Sequence, residues 1–129
     1  MIVVDTNIIA YLWLKGERTS SVKKLLKKDA DWKVPFLWRS EFRNVLSLYI
    51  RKDLLTLPVA ITIVKNAERQ LKGNEYLVNS ESILELVTQS DCSAYDCEFV
   101  ALAKELGIKL ITADKNITQQ FPKTAIHLS

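Results

Sequence analysis

Short apolar runs alternate with longer amphipathic stretches along the chain, and that alternation predicts an α/β domain built on a largely parallel sheet. Ile2 to Val4 is β-branched and apolar on both faces, as a central buried strand requires. A helix follows from about Asn7 to Leu14, stopped by Gly16, and a second, capped by Ser20 or Ser21, runs through about Lys28. In the second helix Val22, Leu25 and Leu26 face inward, while Lys23, Lys24, Lys27 and Lys28 form a solvated face. Lys33 to Phe36 reads as a short strand, with Pro35 near its end. Phe42, Val45, Leu46, Tyr49 and Ile50 recur at helical spacing and predict a helix from about Trp38 to Lys52.

Thr56 and Pro58 open the next helix, which reaches about Lys72 before Gly73 closes it. A strand near Tyr76 to Val78 precedes a helix that Ser80 can cap and that runs through Thr88. Ser93 caps a helix from about Ala94 to Leu106, with Gly107 at its end. Lys109 to Thr112 is a second convincing apolar strand, Lys115 to Gln120 a short helix, and Ala125 to Leu128 a last strand. Each of the three glycines is thereby read as a helix stop. Without repeats, linkers or low-complexity segments, the 129 residues read as one domain over 1–129.

Composition narrows the chemistry. Apolar residues make up 48% and charged residues 26%, a balance that suits a packed core and excludes disorder. No apolar run approaches the roughly 18 to 20 residues that span a bilayer. No basic segment precedes Ile2 in the manner of a signal peptide, so a cytoplasmic protein without a membrane partner is expected. Three glycines are too few, and too scattered, for a Walker A loop or a G-x-G-x-x-G turn. The one histidine, His127, lies two residues from the end of the chain and gives zinc clusters or a Ser-His-Asp arrangement little to build on. Cys92 and Cys97 are not spaced as C-x-x-C and read as packed thiols. Carboxylates remain as the catalytic currency.

Four of them stand where a parallel sheet presents ligands. Asp5 directly follows Ile-Val-Val, and Asp114 follows Leu-Ile-Thr-Ala in the same way. Ligands of open α/β sheets bind beyond the carboxyl ends of the strands, so both would enter one crevice if the strands are neighbours. Taken singly, an Asp between a strand and a helix is usually a helix N-cap. Asp96 falls on the face of its helix shared by Phe99, Val100 and Ala103, opposite Glu98 and Glu105, where a carboxylate is costly unless neutralised. As the third residue after Ser93 it also fits a capping box. Glu41, one turn before Val45, can lean toward the same side. Together the four call for a cation, and oxygen ligands without histidine or cysteine favour Mg²⁺, with Mn²⁺ as substitute, over zinc. Phosphodiester hydrolysis is the natural chemistry of such a cluster, the ion activating water and stabilising the leaving oxygen.

The segments V-V-D-T-N, S-E-F-R-N-V-L, S-A-Y-D-C-E-F-V-A-L-A-K-E-L-G and L-I-T-A-D-K-N, in that order and at those spacings, resemble the PIN domain family. Within it they are most similar to the compact VapC-type toxins of prokaryotic toxin-antitoxin pairs, and the resemblance covers essentially the whole chain. It implies a PIN-like three-layer sandwich, with a mostly parallel five-stranded sheet in the order 3-2-1-4-5 between helices, and a metal-dependent endoribonuclease. Carried over by position, the family's acids fall on Asp5, Glu41, Asp96 and Asp114 as catalytic and metal-binding residues. The resemblance further implies that Asn7 and Thr112 support the pocket, that the chain forms a homodimer, and that a cognate antitoxin covers the acids. Asp91, two residues before Ser93, has no place in it.

Basic residues suit an RNA substrate. The net charge is +3, and an acidic pocket needs cations around its rim to attract a phosphate backbone. Arg43, Arg39 and Lys115 are the candidates for RNA binding, and Lys15, Arg18 and Lys123 are further rim candidates. Trp13, Trp32 and Trp38 read as core residues before base-stacking ones. An aspartate-nucleophile phosphatase would want a second Asp at position 7, which is Asn, and a receiver domain would want adjacent acids near the first strand. Two other readings stay open: an RNA-processing or decay nuclease outside a toxin pair, and a PIN-like module that binds RNA or protein without cutting. Metal-dependent cleavage separates the second from a nuclease, and a neighbouring antitoxin gene separates the first from a toxin.

Overall fold

The apolar strand Ile2–Val4 (β1) occupies the middle of a five-stranded sheet in which every pairing is parallel. The computed structural model describes residues 1–129 and gives the order β3-β2-β1-β4-β5, the order the family resemblance implies. Trp32–Pro35 (β2) lies beside β1 with Val3 opposite Lys33, and Leu110–Thr112 (β4) lies on the other side with Val4 opposite Ile111. Glu75–Tyr76 (β3) and Ala125–His127 (β5) form the edges. The chain leaves β1 toward β2 and later returns to β4 on the opposite side, so the strand order reverses at the β1/β4 pair. A crevice opens beyond the carboxyl ends of strands at such a point.

Seven helices flank the sheet: Thr6–Trp13 (α1), Thr19–Lys28 (α2), Leu37–Arg51 (α3), Leu57–Leu71 (α4), Ser80–Thr88 (α5), Ala94–Leu106 (α6) and Lys115–Gln120 (α7). The core runs between sheet and helices, with Trp32, Trp38 and Phe42 completely enclosed and the last two rings 5.8 Å apart. A half-buried ion pair fixes the β3 edge. Arg39 donates to both carboxylate oxygens of Glu75 at 2.6 and 2.8 Å, and Trp38 Nε1 donates to Glu75 Oε2 at 2.7 Å. None of the helices is long and apolar enough to cross a membrane.

Several boundaries depart from the sequence reading. Neither Ser20 nor Ser21 caps α2: the helix begins at Thr19, whose hydroxyl turns back to donate to Tyr11 O at 2.6 Å and to accept from Gly16 N at 3.0 Å. Asn79 rather than Ser80 caps α5, its side chain accepting from Ser82 N at 3.1 Å. Gly73 and Gly107 adopt the left-handed conformation that ends a helix, at φ +84° and +66°, but Gly16 does not, since α1 has already stopped at Leu14. Phe36 leaves β2 and begins the turn into α3.

Candidate active site

Asp5 follows β1 and is 7% exposed. Its two oxygens have different tasks. Oδ1 accepts from Ile8 N at 3.2 Å and caps α1, while Oδ2 accepts the hydroxyl proton of Thr112, at the end of β4 and wholly buried. The same Thr112 oxygen accepts from Asp114 N at 3.0 Å. Thr112 therefore relays between the two strand-end aspartates, donating to one side chain and holding the backbone of the other. Asp114 Oδ1 caps α7 by accepting from Asn116 N at 2.8 Å and Ile117 N at 3.4 Å. Capping and membership of an acidic site are not alternatives here, because each aspartate spends one oxygen on its helix.

The crevice above these residues is a cleft of about 540 Å³. One wall is α3, which contributes Leu37, Ser40, Glu41, Asn44 and Val45; the other is the first turns of α6, with Tyr95, Asp96 and Phe99. Asp5, Glu41, Asp96 and Asp114 all line it, with Asn7 at the start of α1. Thr112 lies beneath the floor. Glu41 is held from β1's end of the cleft, its Oε1 accepting from the Thr6 hydroxyl at 2.7 Å. Ser93 caps α6 by accepting from Asp96 N at 3.1 Å, leaving the Asp96 carboxylate half-buried at the wall.

Burial and neighbouring charge raise the affinity of Asp5, Glu41 and Asp96 for protons. Asp5 is pushed up to about 6, chiefly by burial, against the Thr112 and Ile8 hydrogen bonds and with the charges of Asp114 and Asp96 adding to the rise. Asp96 is raised by burial and then by Asp114, and Glu41 by burial and by Asp96, with the Thr6 hydroxyl opposing. Glu98, assigned by its helix face to solvent, is partly buried and is raised by burial and by the charge of Glu41.

The donor set fits a hard divalent cation: carboxylate oxygens that repel one another, with no histidine, cysteine, lysine or arginine lining the cleft. No group of three acidic, histidine or cysteine side chains is placed closely enough to hold an ion together. Mg²⁺ does not require one, since it keeps several waters and is commonly held through one or two carboxylates.

The candidate RNA-binding cations divide. Arg43 is exposed and its Nη2 donates at 3.2 Å to Ser40 Oγ, on the cleft wall. Arg39 is committed to Glu75 and lies 3.6 Å from Glu68, so it is a structural cation. Lys115 is exposed at the start of α7, directly after Asp114. None of the tryptophans lines the cleft; Trp13 Nε1 donates to Gln70 Oε1 at 2.8 Å. His127 Nε2 lies 3.2 Å from Ala113 O, behind the loop that carries Asp114. Asp91 accepts from Asn116 Nδ2 at 3.1 Å and joins the α6 and α7 starts. Sequence reasoning missed Thr6, Ser40, Asn44 and Tyr95. Each adjoins or lies one turn from an acid it had found, and that adjacency was the available signal.

Over residues 2–123 the sequence matches the family described as PIN domain. The chain is similar to Ribonuclease VapC3 of Pyrobaculum aerophilum, 27% identical over 124 residues that cover 94% of this chain and 95% of the relative. Its fold is shared by the crystal structure of PAE2754 from Pyrobaculum aerophilum, with a TM-score of 0.78 at 18% identity, covering 98% of this chain and 90% of that one. It is also shared by a chain in a toxin-antitoxin complex from Klebsiella pneumoniae, with a TM-score of 0.67 at 16% identity over 98% and 96% of the two chains.

Proposed function

The chain belongs to the PIN domain family, and from that premise we propose that it is a divalent-metal-dependent endoribonuclease, the toxin of a toxin-antitoxin pair. The observation that carries the reading is the convergence of Asp5, Glu41, Asp96 and Asp114 on one cleft, with the protonation of three of them raised by burial and by one another. Such a group is costly as it stands and is relieved by a cation. The similarity to a ribonuclease supports the activity, and the fold shared with a member of a toxin-antitoxin complex supports the antitoxin partner.

When bound, Mg²⁺ or Mn²⁺ supplies activation of water and a counter-charge for the leaving oxygen. Asp5, Asp96, Asp114 and Glu41 are the residues that would hold the ion, one or two of them directly and the others through its waters. Thr112 fixes one Asp5 oxygen and the Asp114 backbone, so the strand-end pair is oriented before anything binds. Thr6 fixes Glu41 Oε1 and leaves Oε2 as the oxygen that can accept a proton from attacking water. Arg43 meets the RNA backbone at the rim. A homodimer in the cytoplasm is the expected state of the free protein. Purified protein should cut RNA with Mg²⁺ or Mn²⁺ and should not cut it in excess EDTA; full activity in EDTA would overturn the proposal.

A further inference from the structure

Of the apolar side chains around the cleft, Leu37, Val45, Phe99 and Ile117 are wholly or partly buried, whereas Tyr95 stands 64% exposed. It is the second residue of α6, directly before Asp96, and joins neither the Trp38–Phe42 ring pair nor the Arg18–Tyr11 stack. Folding leaves the ring unused. On the facing wall Asn44 is also exposed, one turn of α3 beyond Glu41. Each wall thus pairs a carboxylate with a neutral exposed group, a flat ring on one and an amide on the other.

The rest of the lining favours a base for those groups. With acids on both walls and no lysine or arginine, the cleft offers a phosphate chain no cationic side chain. Arg43 serves the backbone at the rim, so inside the cleft favourable contact beyond the ion comes from the uncharged parts of the nucleotide. An aromatic face accepts any base by stacking, and an amide carries both a donor and an acceptor for a base edge. We infer that Tyr95 and Asn44 form a nucleobase subsite beside the carboxylates, with Tyr95 as the stacking platform and Asn44 meeting the base edge. The subsite rests on the nuclease reading above, and it defines the substrate further. The nucleotide next to the cleaved phosphate must be unpaired, because a base inside a duplex has no open face to offer.

The test uses short single-stranded RNAs, each with one nucleotide near the cut replaced by an abasic unit that keeps sugar and phosphate. Tyr95→Ala should raise KM about tenfold, the order of one lost base–aromatic stack, with a smaller change in kcat, an unchanged melting temperature, and near-complete rescue by Tyr95→Phe. The abasic unit at one position should raise the wild-type KM by the same factor and add nothing in Tyr95→Ala. RNA carrying 5-iodouridine at that position, irradiated with the protein in EDTA, should crosslink to Tyr95. Asn44→Ala should level the preference among bases there, and an unaltered preference would remove Asn44 from the subsite. Unchanged KM in Tyr95→Ala on RNA that the wild type cuts, or an abasic penalty equal in both proteins, overturns the subsite and leaves the nuclease standing. Failure of the wild type to cut RNA with any divalent ion overturns both.

Discussion

The Thr6 hydroxyl donates to Glu41 Oε1 at 2.7 Å, joining two residues 35 positions apart and tying the first turn of α1 to the first turns of α3. The bond favours the ionised carboxylate, against the burial and the Asp96 charge that raise Glu41. Thr6→Val keeps the shape and removes the donor. We predict that Glu41 then protonates at higher pH, so the acidic limb of the pH–rate profile moves upward and cleavage on that limb falls. Stability should fall by about 0.5–1.5 kcal/mol, the ordinary net value of one hydrogen bond. A profile superimposable on wild type would show that Thr6 does not tune Glu41.

Asp5 makes the metal-free protein sensitive to pH in a direction opposite to ordinary acid denaturation. Its folded pKa, about 6, lies above the usual 3.8. The folded state therefore binds the proton more tightly, and the resulting stabilisation is complete below about 3.8 and lost as pH rises through about 6. The difference corresponds to roughly 3 kcal/mol at most. Melts in EDTA should give a higher midpoint at pH 5 than at pH 7.5, and Asp5→Asn should flatten the dependence. Glu75, held below its usual range by Arg39, opposes this trend only at lower pH. A wild-type midpoint that rises from pH 5 to 7.5 would contradict the assignment.

The parts of this architecture that could be read in the sequence are those where one physical demand dominates. Val3, Val4 and Leu110–Thr112 are enclosed, so the apolar character of their strands marks them, and the aspartates that follow mark the crevice. Edge strand β3 is different. Its Glu75 enters the sheet because Arg39 and Trp38 satisfy the carboxylate, while the apolar Leu77 beyond it is 87% exposed, so polarity pointed the wrong way at both ends. Thr6 and Arg39 share the same difficulty. Their roles depend on partners 35 and 36 positions away, which no local pattern encodes.

Arg39 and Arg43 lie one turn apart on α3 and should behave differently. Arg43→Ala should weaken RNA binding and reduce the salt slope by somewhat under one unit, about 0.7 for a single-strand phosphate contact, without altering the melt. Arg39→Ala leaves the enclosed Glu75 carboxylate with only Trp38 as donor and should cost about 1–3 kcal/mol of stability. Salt-dependent binding and denaturant titration on both variants decide the matter. A loss of salt slope in a stable Arg39→Ala protein would return that residue to the RNA-binding face.

Asp96 separates a cation site from a merely structural acid. Burial and the Asp114 charge disfavour its ionised form, with Ser93 opposing them more weakly, while the bond from the Asp96 backbone N–H to Ser93 Oγ that caps α6 is left in place by substitution. Asp96→Asn removes a repelling charge at nearly constant shape, so in EDTA near neutral pH the variant should melt above wild type. Added Mg²⁺ should then help it less. Wild type gains about 2.7 kcal/mol at a hundredfold excess of ion over Kd, and the variant should lose most of that gain together with RNA cleavage. Paired melts with and without Mg²⁺, run beside a cleavage assay, measure all three effects. A variant that is less stable in EDTA, keeps its Mg²⁺-induced shift and still cuts RNA would show that Asp96 serves the helix and not the ion.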